Sequence, residues 1–264
     1  MTSLSPILVS RLEKVAIDNG FDRELLSAEG WLTFASTQCP LQIWLTMSAG
    51  GGCYVALSKI HVANALSAQH APAELNLPLD AAACLEAPDI PTLHQLVRRA
   101  FQLSRTLPHE PLNAFERQTR LLPKTTEAER LVTQRIGQDI FREALLDYWG
   151  GCCAVTGVAL TPVLRASHMK PWAHCETDAE RLNVFNGLLL VANLDALFDR
   201  GLITFDDSGL ILLSSLLSIE SRDQLHLGSS MTLRWVAEQH LPYLQWHRRN
   251  LFESTELGGI GERT

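Results

Sequence analysis

The spacing of apolar and polar positions changes along the chain and predicts its elements. Residues 7–19 carry apolar side chains at helical spacing, which predicts an amphipathic helix. Residues 31–47 are rich in β-branched and aromatic side chains and are interrupted by Cys39-Pro40, so they predict two short strands. A glycine triplet at 50–52 then predicts the turn into a further strand. Such a triplet can also cradle a phosphate, but no Lys-Ser or Lys-Thr follows it here.

The remainder of the first half alternates between helix and connection. Residues 60–68 and 92–107 are predicted helices, and the proline-bearing stretch between them is a predicted loop. No group of residues in this half forms a pattern typical of catalysis. The sequence therefore predicts a small α+β module, with a boundary near His109 that divides the chain into residues 1–112 and 113–264.

The second half opens with a long predicted helix. Thr126-Glu-Ala-Glu129 is typical of a capping box, in which the Thr hydroxyl and the Glu carboxylate satisfy free backbone amides at a helix start. Helical spacing continues to about Trp149, and Gly150-Gly151 ends it. Two readings stay open for its basic residues, which can lie along DNA or form a solvated, salt-bridged face. These residues are Arg130, Arg135 and Arg142.

Short strands and a short helix follow in the order strand, loop, strand, helix. The predicted strands are residues 153–157, 163–168 and 187–191, and residues 202–214 are a predicted hairpin. Asn193 is predicted to cap the helix, which carries Asp195 and Asp199 on one face because they are four residues apart. The tail, residues 216–264, is predicted to return to helix, and its His247-Arg-Arg is a candidate contact to a nucleic-acid backbone.

This second half groups side chains that suit phosphodiester hydrolysis. His168, at the end of a predicted strand, can take a proton from water near pH 7 because its unperturbed pKa lies in that range. Asp195 and Asp199 offer oxygen ligands to a hard divalent cation, which stabilises the charge that develops on phosphate. Asn186 can orient the loop that carries the histidine by hydrogen bonds to its backbone.

Composition limits how the chain can bind nucleic acid. The net charge is −7, whereas nucleic-acid-binding domains usually carry a basic surface. Any contact to DNA must therefore come from a local basic face, or binding is weak or assisted. No apolar run approaches the roughly 18 residues that a membrane span needs, and the first residues lack a signal-peptide pattern. The six cysteines show no regular framework, which favours reduced thiols and a cytoplasmic location.

Residues 126–252 resemble the HNH endonuclease family. The resemblance rests on the order and spacing of several motifs together. These are Cys153-Ala-Val-Thr-Gly, Ala-Ser-His168-Met-Lys-Pro-Trp, Asn186-Gly-Leu-Leu-Leu and Asp195-Ala-Leu-Phe-Asp199-Arg-Gly, between the Phe141-Arg-Glu-Ala-Leu-Leu helix and a late Tyr243-Leu-Gln-Trp-His. The resemblance implies an α+β fold, in which a ββα-metal nuclease domain with flanking helices has its core at residues 150–215 and follows the small α+β N-terminal module.

The resemblance also implies roles for individual residues. His168 matches the general base and Asn186 the central structural asparagine. Asp195 stands where the family has a metal-binding His or Asn, and Asp199 stands one turn later on the same helix. Ser167 occupies a position where many members have a metal-binding Asp or His, so it is a doubtful ligand. Aspartate in place of the last histidine favours Mg²⁺, with Mn²⁺ or Ni²⁺ as alternatives, and no structural zinc is expected because paired Cys-x-x-Cys clamps are missing.

The implied function is that of a metal-dependent DNA endonuclease acting on duplex DNA. The candidate DNA contacts are Arg165, Lys170, Arg181 and Arg200. By analogy, an acidic nuclease with an extra domain suits restriction or anti-phage defence, and a homodimer or partner proteins of a defence system are further expectations. Two alternatives remain at this point: a catalytically inactive nucleic-acid-binding module on an HNH fold, and a metal-free protein-interaction domain.

Overall fold

The computed structural model divides into two units along the chain. The structure describes residues 4–28, 30–48, 50–67, 70–123 and 126–252. The first unit is Met1–Asn113 and the second is Ala114–Thr264. Both contain helices and strands, so the protein is a mixed helix and strand protein.

The first unit is built on one antiparallel sheet with helices. In chain order its elements are α1 (Pro6–Asp18), β1 (Arg23–Ala28), β2 (Trp31–Ala35), β3 (Gln42–Met47), β4 (Cys53–Leu57), α2 (Ile60–Leu66), β5 (Ala83–Ala87) and α3 (Ile90–Ser104). The strands lie in the order β1-β2-β3-β4-β5, and each is antiparallel to its neighbour. The predicted α1, α2, α3, β2, β3 and β4 are confirmed, as is the glycine turn between β3 and β4. Strands β1 and β5 were not predicted.

Local sequence explains where the helices of this unit begin. The Asp89 carboxylate accepts a hydrogen bond from the Thr92 amide at 2.8 Å, and a proline follows at the first turn of α3. The helix then buries apolar residues at helical spacing. These are Leu93, Leu96, Val97, Ala100 and Leu103. On the sheet, Trp31, Trp44, Ala56 and Cys84 form a separate buried cluster.

The second unit begins with two helices and continues through two strand pairs. Its elements are α4 (Glu110–Thr119, which starts in the first unit), α5 (Glu127–Tyr148), β6 (Leu164–His168), α6 (Asp178–Arg181), β7 (Gly187–Val191), α7 (Ala192–Asp199), β8 (Ile203–Phe205), β9 (Ile211–Leu213), α8 (Ile219–Gln224) and α9 (Leu241–Asn250). Strand β6 is antiparallel to β7, and β8 is antiparallel to β9.

The start of α5 follows the predicted capping box. The Thr126 hydroxyl accepts from the Glu129 amide at 3.2 Å, and the Glu129 carboxylate accepts from the Thr126 amide at 2.9 Å. Only the later part of the helix is packed, and it buries Gly137, Phe141, Ala144, Leu145 and Tyr148. Arg142 on this helix donates to the Leu164 and Thr161 carbonyls, which fixes the start of β6 against α5.

Three details of the second unit differ from the prediction. Residues 153–157 form a turn instead of a strand, because the Cys153 carbonyl accepts from the Gly157 amide and Gly157 has a φ of 71°. Asn193 does not cap α7, since the helix begins directly after β7 with Val191 at the cap position. The tail contains α8 and α9, but residues 225–237 between them are not helical, and the last twelve positions, 253–264, lie outside the described residues.

The sequence predicts neither a membrane-spanning segment nor a disulfide framework. Each helix of that part is too short or too polar to cross a membrane. All of the cysteines are free thiols, and most are buried.

Candidate active site

Two antiparallel strands and the helix that follows them form the centre of the candidate site. His168 pairs with Gly187 at one end of the β6–β7 ladder, and Leu164 pairs with Val191 at the other. Because neighbouring strand residues point to opposite faces, Ser167 and His168 lie on different sides of the pair. The Ser167 side chain contacts α7 and the His168 side chain contacts α5. The strand pair is therefore held between the two helices.

The His168 ring is fixed by one hydrogen bond and by two aromatic neighbours. Its Nε2 atom lies 2.8 Å from the Arg181 carbonyl oxygen. A carbonyl oxygen only accepts, so Nε2 carries the hydrogen in the neutral ring and Nδ1 keeps a lone pair. The ring stacks on Phe141, with centroids 3.8 Å apart and planes at 15°, and it meets Trp172 edge-on at 5.8 Å.

The surroundings of His168 keep it neutral. Burial lowers the pKa of this histidine to about 4, and the hydrogen bond to the Arg181 carbonyl opposes that effect only in part. Among the described residues, no hydrogen bond occupies Nδ1. At neutral pH the ring is therefore a proton acceptor at Nδ1 in a fixed orientation.

Asn186 ties together the loop that joins β6 to β7, residues 169–186. Its side chain is fully buried, and its Oδ1 accepts from the Lys170 amide at 2.8 Å. Its Nδ2 donates to the Lys170 carbonyl at 3.1 Å and to the Glu180 carbonyl at 3.3 Å. The Asn186 carbonyl also accepts from the Met169 amide at 3.0 Å. These bonds hold the backbone on both sides of the loop, beginning directly after His168.

Helix α7 carries both predicted carboxylates. The Ser167 hydroxyl donates a hydrogen bond to the Asp195 carboxylate, so the doubtful ligand and the expected principal ligand are in direct contact. Asp199 follows one turn later. Partial burial of its carboxyl group and the negative charge of Asp195 raise the pKa of Asp199 to about 6. Strongly shifted pKa values cluster at functional sites, which makes Asp199 a candidate site residue.

The donor set suits a hard cation that takes most of its ligands from elsewhere. The described residues contain no group of three or more His, Cys, Asp or Glu side chains able to hold a metal. Asp195, Asp199 and the Ser167 hydroxyl supply oxygen atoms only. Mg²⁺ is commonly held by one or two carboxylates together with water and substrate phosphate, whereas a structural zinc site requires four Cys or His ligands. These residues therefore fit a magnesium-like ion.

The four candidate DNA-binding residues differ in how far their charges are already engaged. Lys170 forms an ion pair with Glu180 at 2.6 Å, and Arg181 forms one with Asp178 at 2.9 Å. Arg165 is exposed and donates to the Pro162 and Leu164 carbonyls at 3.1 Å. Arg200 is exposed directly after α7. Arg165 and Arg200 are thus the more available cations, and the role of all four in DNA binding stays a prediction.

Some residues of the site were not singled out for it by the sequence. Phe141 and Trp172 form the walls around His168, although both lie in motifs that carry the family resemblance. Gly187 has a steric role, because a Cβ atom there would lie 2.6 Å from the Phe141 ring. The candidate backbone contact His247 is instead fully buried, with its ring stacked on Phe198. A pattern of apolar spacing marks such residues only as core.

One known family matches the stretch of chain that contains these residues. Residues 153–206 match the family model described as HNH endonuclease. The matched stretch begins just after α5 and contains β6, the loop, β7, α7 and β8. None of the curated proteins compared with the chain matches it. The C-terminal half of this protein thus contains an HNH domain, and the match supports nuclease activity.

Proposed function

We propose that this protein, whose C-terminal half contains an HNH domain, is a metal-dependent endonuclease that hydrolyses phosphodiester bonds in duplex DNA. In this proposal β6, β7 and α7 are the ββα-metal core, and the preceding unit is a recognition or regulatory module. The observation that carries the proposal is the state of His168. Its ring is neutral and is oriented by the Arg181 carbonyl. The residue before it in the chain, Ser167, donates a hydrogen bond to Asp195.

In the proposed mechanism His168 is the general base. Its Nδ1 lone pair accepts a proton from the attacking water, and the Arg181 carbonyl then stabilises the protonated ring through the Nε2 hydrogen. Asn186 keeps the base in place through the loop backbone instead of touching the substrate. The family resemblance implies that cleavage leaves a 5′-phosphate and a 3′-hydroxyl.

Asp195 and Asp199 are the proposed cation ligands, with the Ser167 hydroxyl beside Asp195. When bound, Mg²⁺, or Mn²⁺ or Ni²⁺ in its place, would supply positive charge to the phosphate oxygens and the departing 3′ oxygen. Burial and, after it, the negative charge of Asp195 raise the pKa of Asp199, and a shared cation would relieve the repulsion between the two carboxylates.

DNA contact is assigned to the exposed cations Arg165 and Arg200. The charges of Lys170 and Arg181 are already engaged in ion pairs, which makes them weaker candidates. Because the net charge is −7, binding would depend on local groups of cations such as these. A weak, locally steered contact suits a nuclease that must spare the host chromosome. By analogy, we propose a role in restriction or anti-phage defence in the cytoplasm, where a second copy or partner proteins would deliver the nuclease to its target.

The test is cleavage of supercoiled plasmid in the presence of Mg²⁺ or Mn²⁺. We expect wild-type protein to nick or linearise plasmid, and His168→Ala to lose roughly 10²- to 10⁴-fold in rate because the general base is gone. His174→Ala is the matched control, since His174 is an exposed histidine of the same loop. Equal cleavage by wild type and His168→Ala would remove His168 from the mechanism.

A second candidate function is a catalytically inactive nucleic-acid-binding module. The small donor set favours it, because Ser167 replaces a ligand and the described residues hold no three-ligand group. The test is to assay wild-type protein with Mg²⁺, Mn²⁺ and Ni²⁺ in turn. Binding of DNA without cleavage, and without a thermal shift from any of these ions, would support this function over the nuclease.

A further inference from the structure

We infer that Arg181 is a positioning residue for His168 and not a contact to the DNA backbone. The catalytic consequence of this inference rests on the proposed nuclease function. Its structural part rests only on the contacts of the loop between β6 and β7. Arg181 is the last residue of α6, and it contacts the candidate base and the loop with different parts of the same residue.

The main chain of Arg181 determines the tautomer of His168. Its carbonyl oxygen accepts the Nε2 hydrogen at 2.8 Å, near the optimum for an N–H···O bond. Without this acceptor the neutral ring could carry its hydrogen on either nitrogen, and the Nδ1–H form has no lone pair to offer at that position. The location of one carbonyl oxygen therefore decides whether His168 can act as a base at Nδ1.

The side chain of Arg181 fixes the position of that carbonyl. Its Nε donates to the Trp172 carbonyl at 3.3 Å, its Nη2 to the Cys175 carbonyl at 2.6 Å, and its Nη1 to Asp178 at 2.9 Å. All three guanidinium nitrogens thus bind groups of the loop itself. The side chain is only 24% exposed. A phosphate could bind only through the remaining N–H groups of this mostly buried side chain, which makes Arg181 a poor candidate for binding DNA.

Trp172 contacts both Arg181 and the ring of His168. The Trp172 carbonyl accepts from Arg181, while its ring meets His168 edge-on. The ring also lies against α5 at Gly137, where an added Cβ atom would be 2.5 Å from the Trp172 ring. Arg181 therefore connects the carbonyl that holds Nε2 with the tryptophan that borders the ring.

Asn186 supports the same stretch but does not replace Arg181. Its Nδ2 donates to the carbonyl of Glu180, the residue before Arg181, so it holds the backbone one peptide away from the carbonyl that binds His168. We therefore expect removal of the Arg181 side chain to loosen that carbonyl without unfolding the loop. Loss of an outer partner that orients a functional histidine typically costs about 10- to 100-fold.

The first experiment compares Arg181→Lys and Arg181→Met with a matched control, Arg222→Met. Arg222 also donates to two main-chain carbonyls of the second unit, those of Leu217 and Ser214. We expect both Arg181 variants to cleave DNA at saturation about 10- to 100-fold more slowly, with unchanged DNA affinity in EDTA. Lysine should fail because it lacks the planar fork. Arg222→Met should cleave normally.

The opposite result would identify Arg181 as a phosphate contact. In that case Arg181→Lys would keep most of the cleavage rate, and Arg181→Met would weaken DNA binding and flatten its dependence on salt. If Arg181→Met does not fold, Arg181→Lys, which retains the charge and the stem, decides the question.

The second experiment does not depend on nuclease activity. Imidazole ¹⁵N chemical shifts, assigned by comparison with His168→Gln, report which ring nitrogen carries the hydrogen. We expect the Nε2–H tautomer in wild type and in Arg222→Met, and a mixture of tautomers in Arg181→Met. An unchanged tautomer in Arg181→Met would overturn the inference even if the wild-type protein is an active nuclease. A wild type that cuts no DNA would overturn the proposed function and leave this tautomer result to decide the role of Arg181.

Discussion

Three histidines of the second unit share a lowered pKa but differ in what their ring nitrogens contact. Burial lowers the pKa of His168, His240 and His247 to about 4. Both nitrogens of His247 are engaged, with the Thr204 hydroxyl and the Phe198 carbonyl. His240 accepts from the Ala237 amide, and its Nε2 is buried without a partner among the described residues. Of the three, His168 alone keeps a basic nitrogen for a reaction.

At the residue scale, Asp199→Asn is expected to stabilise the metal-free protein at pH 7. The pKa of Asp199 is raised to about 6, so ionisation above that pH costs free energy in the folded state and not in the unfolded chain. Because the carboxyl group is only partly buried and solvent screens its charge, we expect a gain of only about 1 kcal/mol. Urea unfolding in EDTA at pH 7 and at pH 4 measures it, and the gain should shrink to a small fraction at pH 4, close to the ordinary aspartate pKa of 3.8.

The same substitution should remove the benefit of a bound cation. We expect Mg²⁺ or Mn²⁺ to raise the melting temperature of wild type more than that of Asp199→Asn. Asp223→Asn on α8 is the matched control, since Asp223 is an exposed aspartate of another helix. A metal-induced shift that is the same in wild type and in Asp199→Asn would exclude Asp199 as a ligand.

At the scale of elements, prediction succeeded where local interactions determine the outcome. The capping box at Thr126 and the apolar spacing after it define α5, and both operate within one helix. Prediction failed for strands that form only by pairing with residues distant in the sequence. Strand β5, Ala-Cys-Leu-Glu-Ala, has little intrinsic strand preference, yet it pairs along its whole length with β4. Strand β1 is an edge strand with several exposed side chains, so it lacks a clear alternating pattern.

The contact between α9 and the end of α7 should be sensitive to acid. His247 on α9 donates from Nε2 to the Phe198 carbonyl of α7 and accepts from Thr204 of β8. Its folded pKa of about 4 lies below the ordinary value near 6.5, so the unfolded chain takes up the proton first as pH falls. The contribution of neutral His247 to the free energy of unfolding is therefore fully present above about pH 6.5, and it is lost as the pH falls towards 4.

The wild-type protein should lose unfolding free energy when the pH falls from 7 to 5. We expect this loss to be about 2 kcal/mol smaller in His247→Gln. Urea titrations at the two pH values measure that difference. His174→Gln changes an exposed histidine of the same unit and should leave the pH dependence as it is in wild type. The expectation would be wrong if both variants kept the full wild-type dependence.

At the scale of the whole molecule, net charge and local charge act in opposite directions. A charge of −7 repels DNA at a distance, while Arg165 and Arg200 present exposed cations near the candidate site. Few phosphate contacts mean a shallow dependence of affinity on salt. Specific delivery to a target would then rest on the first unit or on partners, as proposed above.

Arg200→Gln should weaken DNA binding without changing its sequence preference. Each phosphate contact contributes about one to the slope of log affinity against log salt concentration, so we expect the slope to fall by about 1. Fluorescence anisotropy with duplex DNA in EDTA measures the slope. Arg222→Gln, whose side chain binds its own unit, should keep the wild-type slope. A wild-type slope in Arg200→Gln would exclude a phosphate contact at this position.

The sequence by itself determined that the C-terminal half contains an HNH domain. The order of His168, Asn186, Asp195 and Asp199 indicated an HNH domain, and the match to residues 153–206 confirms that recognition. Residue types and short-range spacing are sufficient for this, because a motif and a helical turn are local properties of the chain.

Tertiary structure decided which atoms can act. Only the folded chain brings the Arg181 carbonyl to Nε2 of His168, stacks Phe141 on the ring and places Ser167 against Asp195. Folding also brings the Arg181 side chain to its hydrogen-bond partner in the same loop, Asp178, and buries His247. Hydrogen bonding and burial depend on residues distant in sequence, so a spacing pattern cannot separate a base from a core histidine, or a phosphate contact from a structural arginine.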